Sequence, residues 1–306
     1  MNTLSSPSSR GARQPLVAAG AVAFTIVSWA SAFPFIRIGL HGLAPLQLAA
    51  ARFATAALLV IAWLAWRRPP RPAKRDALRF LACGFLGIAL YNALLNTGEQ
   101  TVSAGAASFI VNTLPIFTAL LAAVFLGERF NRWGWLGSLV SLAGIGVIAH
   151  GQPGGLVLGS GSTLILGAAL CSASYFVLQR RLIPVYGALP CAAYTLLAGA
   201  LLLTPWLPGA LGSLGGASHD TTLAVLILGV FPAALGYATW TLALGYFGAA
   251  RAANFLYLTP AVATALSMVL TGERPGIETV CGGLLAIAGV IFVALRGRSQ
   301  DRGRIG

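Results

Sequence analysis

The sequence predicts an all-α integral membrane protein with ten transmembrane helices in two inverted five-helix repeats. Of its 306 residues, 57% are hydrophobic and 9% charged, too little polar surface for a soluble globule of this length. Apolar stretches of about 20 residues, the length that crosses the hydrocarbon core, succeed one another with few interruptions. The chain also repeats itself: Gly127-Glu128-Arg129 returns 145 positions later as Gly272-Glu273-Arg274, and Pro115 returns as Pro260. The same ungapped shift carries Ala104, Ala107, Gly137, Leu139, Ala143 and Gly144 onto Ala249, Ala252, Gly282, Leu284, Ala288 and Gly289, and Pro45 onto Pro190. Small apolar residues match by chance, so the weight rests on the charged triplet and the proline before it.

Taken in order, the Ser- and Arg-rich residues 1–14 read as a solvated tail. Beyond it, spans fall at roughly 17–36, 46–66, 78–97, 104–126 and 133–150, then at roughly 159–179, 189–207, 221–243, 250–271 and 277–295. The segment Arg67 to Arg79 with Pro69, Pro70 and Pro72 is too charged to enter the membrane and can meet anionic headgroups. Gly151-Gln152-Pro153-Gly154-Gly155 breaks helix on both sides and marks the module boundary, dividing 1–150 from 151–306. Pro208 to Ser218 reads as an uncharged loop ending in His219-Asp220, which would cap the eighth helix. From Arg296 the chain is again polar and basic. Five spans per repeat is an odd number, so the second copy must enter the membrane from the opposite side.

The net charge of +13 is distributed as topology, not as a nucleic-acid surface. With the N-terminus in the cytoplasm, the inner side collects Arg10, Arg13, Arg67, Arg68, Arg71, Lys74, Arg75, Arg79, Arg129, Arg132, Arg180, Arg181, Arg251 and the cations from Arg296 onward. The outer side keeps Arg37 and Arg274. This asymmetry places both termini in the cytoplasm. Ala30-Ser31-Ala32 resembles a signal-peptide cleavage site, but cleavage there would delete the first span and leave the halves unequal. Helical architecture and the Lys/Arg bias point to a bacterial cytoplasmic (inner) membrane. Cys83, Cys171, Cys191 and Cys281 stand singly, without metal or redox spacing, and read as packing residues. No motif for a metal or cofactor is present.

Pro115 and Pro260 fall near the middle of the fourth and ninth spans. Paired interruptions at matching places in two halves point to a binding site near the midplane; curved packing is the plainer explanation. Gly105, Ser108, Asn112, Pro115 and Ala119 share a helical face, and Tyr257 is the repeat mate of Asn112. Asn112 and Tyr257 are therefore the expected central pair of a cavity. Polar or amphipathic groups at membrane depth extend it: Trp29, Tyr91, Asn92, Ser108, Tyr175, Tyr237, Trp240 and Asn254. Trp63, Trp66, Trp133, Trp135 and Trp206 lie at span ends and read as interfacial anchors.

Arg52 lies about two turns inside the second span, where a cation is costly without a partner. It reads as a structural ion pair with Glu99 or as a binder of substrate carboxylate. Glu128-Arg129 and Glu273-Arg274 fit helix-end electrostatics and, at opposite faces of an inverted pair, matched hinge or gate braces. No Asp or Glu lies near the middle of a span, so proton coupling has no obvious carrier, although Glu99, Glu273 and Glu278 leave it open beside facilitated transport and exchange.

The proline-bearing spans ending in Gly-Glu-Arg, together with Trp29-Ala30-Ser31-Ala32-Phe33 and Ala51-Arg52-Phe53, closely resemble the EamA branch of the drug/metabolite transporter superfamily over nearly the whole chain. The resemblance implies a ten-helix fold with a central cavity and export of small metabolites, often amino acids, or of toxic compounds. Leu197 stands where an Arg equivalent to Arg52 would fall, so the two ends of the cavity need not be symmetric. The expected function is alternating-access export of amino acids or related compounds. A facilitative channel or drug-efflux carrier is the alternative, and an intramembrane enzyme a remote one for want of a nucleophile-base pair or clustered carboxylates. Expected partners are a small-molecule substrate, membrane lipid, and a proton or exchanged solute, with no nucleic acid.

Overall fold

A computed structural model describes residues 8–102, 104–127, 131–150, 159–262, 266 and 276–296. The described residues are helical, with no strand among them. The helices are α1 (Ser8–Leu40), α2 (Pro45–Arg67), α3 (Lys74–Gly98), α4 (Ala104–Val111), α5 (Leu114–Leu126) and α6 (Arg132–His150). They continue as α7 (Ser160–Tyr186), α8 (Ala188–Gly215), α9 (His219–Phe247), α10 (Ala249–Phe255) and α11 (Ile277–Arg296). Among the described residues, α1 from Pro15, α2, α3, α7, α8 and α9 are each long and apolar enough to cross a membrane. Leu58, Leu59, Ile61, Leu166, Leu170 and Leu201 on these helices are exposed, as lipid-facing residues would be.

Two spans expected to be continuous are interrupted. The fourth divides at Asn112 and Thr113 into α4 and α5, because Pro115 has no N–H for the carbonyl one turn back and its ring crowds that turn. The ninth divides in the same register: α10 gives way to a 3₁₀ turn, Leu256–Leu258, and helix resumes at Thr259 and Pro260. A second pair of irregularities has no proline in common. In α3 the segment Phe85–Leu90 is wound as π-helix, and in α9 so is Gly229–Gly236. The repeat shift carries the first onto 230–235, inside the second. The segment read as a loop after Trp206 is instead largely helical, since a 3₁₀ turn at Thr204–Trp206 leads into helix Leu207–Gly215 with Pro208 in its first turn. Ser218, not His219 or Asp220, caps the next helix, accepting the Thr221 N–H at 3.2 Å. The expected module boundary, 151–155, lies outside the described residues, as do Glu128, Arg129, Glu273 and Arg274.

Small residues set the closest approaches. In the α6–α11 pair, Gly137 faces the Gly289 carbonyl and Gly144 faces the Gly282 carbonyl. The repeat shift turns the first contact into the second, so the crossing reads the same from either helix. Gly84 lies on the backbone of Ala198 and Gly199, and its mate Gly229 lies on the Arg52 carbonyl and Thr55. Lipid tails are as apolar as the side chains they would replace, so helices in a bilayer associate through such packing and through hydrogen bonds. One cross-link of the second kind joins the start of α3 to the end of α7, where Asp76 accepts the Tyr186 hydroxyl at 2.6 Å and pairs with Arg79 at 2.7 Å.

A side chain at Gly144 or Gly289 would collide with backbone of the partner helix, whereas one at Gly20 meets open space. Gly144→Leu and Gly289→Leu are each expected to destabilise by about 1–3 kcal/mol or more. Thermal unfolding of purified protein in detergent, with Gly20→Ala as the unchanged control, checks this.

Candidate functional site

A cavity of about 70 Å³ lies among α1, α2, α3, the α4–α5 break, α7, α9 and the turn after α10. A third of its lining residues are aromatic. Trp29 from α1 packs on Phe176 of α7 at 6.5 Å between ring centroids, on Tyr237 of α9 at 5.7 Å and on Trp240 of α9 at 5.4 Å. Phe176 and Trp240 are 4.4 Å apart, and Tyr175 lies 6.1 Å from Tyr237. These rings come from three helices, and each fixes the others' orientation.

The irregular turns place the polar groups. A π turn inserts a residue, rotates the helix beyond it and leaves carbonyls without their usual partner. Tyr91 and Tyr237 are the first residues after the two π segments, and both line the cavity. The carbonyls of Gly87 and Pro232 are repeat mates within those segments. The Tyr237 hydroxyl donates to the Gly87 carbonyl at 2.6 Å, and the Trp29 Nε1–H donates to the Pro232 carbonyl at 3.1 Å. Each donor comes from the other half of the chain. Asn92 Nδ2 donates to a further carbonyl of the first π segment, Ile88, at 2.8 Å.

At the α4–α5 break, side chains add second donors to carbonyls that already accept a backbone N–H. Asn112 Nδ2 donates to the Ser108 carbonyl at 2.6 Å, and Thr113 Oγ1 to the Ile110 carbonyl at 2.7 Å. Asn112 and Pro115 remain on the cavity wall.

Arg52 is the charged residue in this lining. It is 5% exposed, and its Nη1 donates to Asn92 Oδ1 at 3.2 Å while Nε has no partner. Its guanidinium carbon stands 5.1 Å from the centre of the Phe53 ring. Ion pairs among the described residues involve Asp76 with Arg75 and Arg79, so Arg52 and Glu99 are not in salt-bridge contact. A buried guanidinium with unspent donors beside an aromatic wall is suited to a carboxylate on an amphipathic solute.

Of the residues nominated from sequence, Trp29, Tyr91, Asn112, Pro115, Tyr175 and Tyr237 line the cavity. Asn92 orients Arg52 from behind, Trp240 backs the rings, and Ser108 supplies the carbonyl that Asn112 caps. Asn254 instead ties α10 to α6, accepting the Ser138 hydroxyl at 2.7 Å. Tyr257 is fully buried and packs with Ala286 and Val290 of α11, so it does not face Asn112 across the cavity. The 3₁₀ turn Leu256–Leu258 changes its direction, and Leu256 and Thr259 reach the lining in its place. Pro260 is buried just beyond. Sequence reasoning passed over Phe33, Phe176, Ser172, Pro232 and Thr259. Phenylalanine and single hydroxyl residues are ordinary on apolar helices; the one available signal was that Pro232 is the repeat mate of Gly87.

Residues 17–149 and 159–295 each match the EamA-like transporter family. The chain is 38% identical over 274 residues to "Uncharacterized transporter YdfC" of Bacillus subtilis, covering 90% of each. It is 37% identical over 284 residues to "Probable terminal-alkyne amino-acid exporter" of Streptantibioticus cattleyicolor, covering 92% of this chain and 95% of that one. A solved crystal structure at 20% identity superposes with a TM-score of 0.74 over 94% of this chain and 98% of its own, which speaks to the fold alone.

Tyr237→Phe removes the donor to Gly87 and leaves that carbonyl buried. The expected loss is about 1–3 kcal/mol, read as a lower unfolding temperature in detergent. Thr222→Ala, whose hydroxyl bonds at the exposed start of α9, is a near-neutral control.

Proposed function

Because the chain belongs to the EamA-like transporter family, in which the family pattern occurs twice along it, we propose that it exports small amino-acid-like metabolites across the bacterial cytoplasmic membrane. The central cavity is the binding site and opens alternately to the two sides. In this reading the two matched segments are inverted repeats of five helices, with both termini in the cytoplasm.

The observation that carries the substrate class is the pairing of one buried guanidinium with an aromatic wall. Arg52 takes the carboxylate, Trp29, Tyr175 and Phe176 stack on the apolar part, and Tyr91, Asn112 and Tyr237 supply hydrogen bonds. The name of the Streptantibioticus relative, an amino-acid exporter, points the same way. Asn92, Trp240 and Ser108 support these groups, and Asn254, Tyr257 and Pro260 support the second broken helix. The breaks at Pro115 and Pro260 let the helices bend between states, and Glu128-Arg129 and Glu273-Arg274 brace their ends.

Expression in a bacterium deleted for amino-acid exporters should give saturable efflux of a subset of preloaded labelled amino acids. Arg52→Gln at equal membrane abundance is expected to raise the half-saturating concentration about 10- to 100-fold, the equivalent of about 1.5–3 kcal/mol for hydrogen bonds to a charged group. Unsaturable flux without counterflow would replace the carrier by a channel. Efflux confined to cationic drugs, and unaffected by Arg52→Gln, would replace it by a drug-efflux carrier.

A further inference from the structure

Glu99 has no task in substrate binding. It stands one residue past the end of α3, at the end of the helix away from the basic segment 67–79, yet it is 2% exposed. Neither carboxylate oxygen reaches solvent, and neither accepts a hydrogen bond from the described residues. An ionised carboxylate loses its hydration in such a place and gains no donor in exchange, which costs several kcal/mol (about 1–3 even for a neutral polar group). A neutral carboxylic acid avoids most of that cost.

The groups that act on Glu99 are few. Arg37 comes from α1 and is itself exposed; Arg52 comes from α2, with its Nη1 engaged by Asn92; Tyr91 lies two turns back on α3. From α7, Gly161 and Ile165 meet this end of α3 at Gly98 and do not titrate. Asn96, one turn before Glu99, spends its Nδ2–H on the Pro45 carbonyl at 3.0 Å. Burial outweighs both cations and pushes the Glu99 carboxyl up to about 8.

We propose that Glu99 is a proton-binding site that couples the movement of this end of the bundle to pH. Its carboxyl is protonated while the helix ends are packed over it, as here, and ionises when they part and water enters. The step is a proton exchange: the carboxylic O–H bond breaks, the electron pair stays on Glu99, and the proton passes to water. Closure reverses it. Arg52 is within the electrostatic reach of Glu99 and also lines the cavity, so the charge state of Glu99 reaches the substrate site through one side chain. The consequence for transport rests on the exporter reading; the proton site does not.

Infrared difference spectra of the purified full chain in detergent, titrated between about pH 6 and about pH 10 around the raised value, test the site directly. A protonated-carboxyl band with a midpoint near 8, lost in Glu99→Gln and shifted in Glu99→Asp, is expected. Absence of such a band in the wild type at neutral pH, or its persistence unchanged in both variants, overturns the proposal. In efflux assays the wild-type rate should change several-fold, about 3 to 10, over the same range, and the Glu99→Gln rate by less than about twofold. A Glu99→Gln profile that matches the wild type overturns the coupling. Wild-type protein that transports no amino acid yet shows the titrating band would overturn the exporter reading and leave the proton site standing.

Discussion

In hydrocarbon there is no water to take up a freed backbone carbonyl, and this protein frees carbonyls wherever it needs space or curvature. Two π segments and two broken spans surround one cavity, and the polar side chains that close them are largely those that give the cavity its character. Tyr237 and Trp29 donate to carbonyls of the π segments, and Asn112 and Thr113 add second donors to carbonyls beside the break before Pro115. Backbone satisfaction and the shape of the cavity are thus linked. Tyr237 or Trp29, if it left the wall, would also take a donor away from a π-segment carbonyl.

The same logic separates what was legible in the sequence from what was not. The membrane class and the repeat could be read because composition and the Gly-Glu-Arg echo are properties of the chain alone. The breaks at Pro115 and Pro260 could be anticipated because proline acts locally. Two directions could not. Tyr257 is the repeat mate of Asn112 and should stand opposite it by that symmetry, but a 3₁₀ turn sends it against α11. The π segments share only an alanine and a leucine under the repeat shift, Ala89 with Ala234 and Leu90 with Leu235, which announce no π turn, so the register of Tyr91 and Tyr237 after them was invisible. Glu99 was legible as a candidate ion-pair partner of Arg52; that it lies buried without an ion pair among the described residues depends on how α1, α2 and α7 close over the end of α3.

The glycine contacts show where repetition is tightest. Gly137 with Gly289 and Gly144 with Gly282 form a crossing that the repeat shift maps onto itself. The cavity is less symmetric: Arg52 has Leu197 as its mate, so one half alone brings the guanidinium. The frame is thus near-symmetric where the lining of the cavity is not.

The exchange of donors between halves has a consequence for how the chain is made. A ribosome delivers Gly87 to the membrane long before it has synthesised Tyr237, the group that will satisfy its carbonyl. Until then the first π segment must either remain an ordinary α-helix, one residue out of register, or be sheltered by the insertion machinery. Trp29 waits longer still for Pro232, 203 residues on. The hydrogen bond from Tyr237 to the first π segment therefore forms only after α9 has been made.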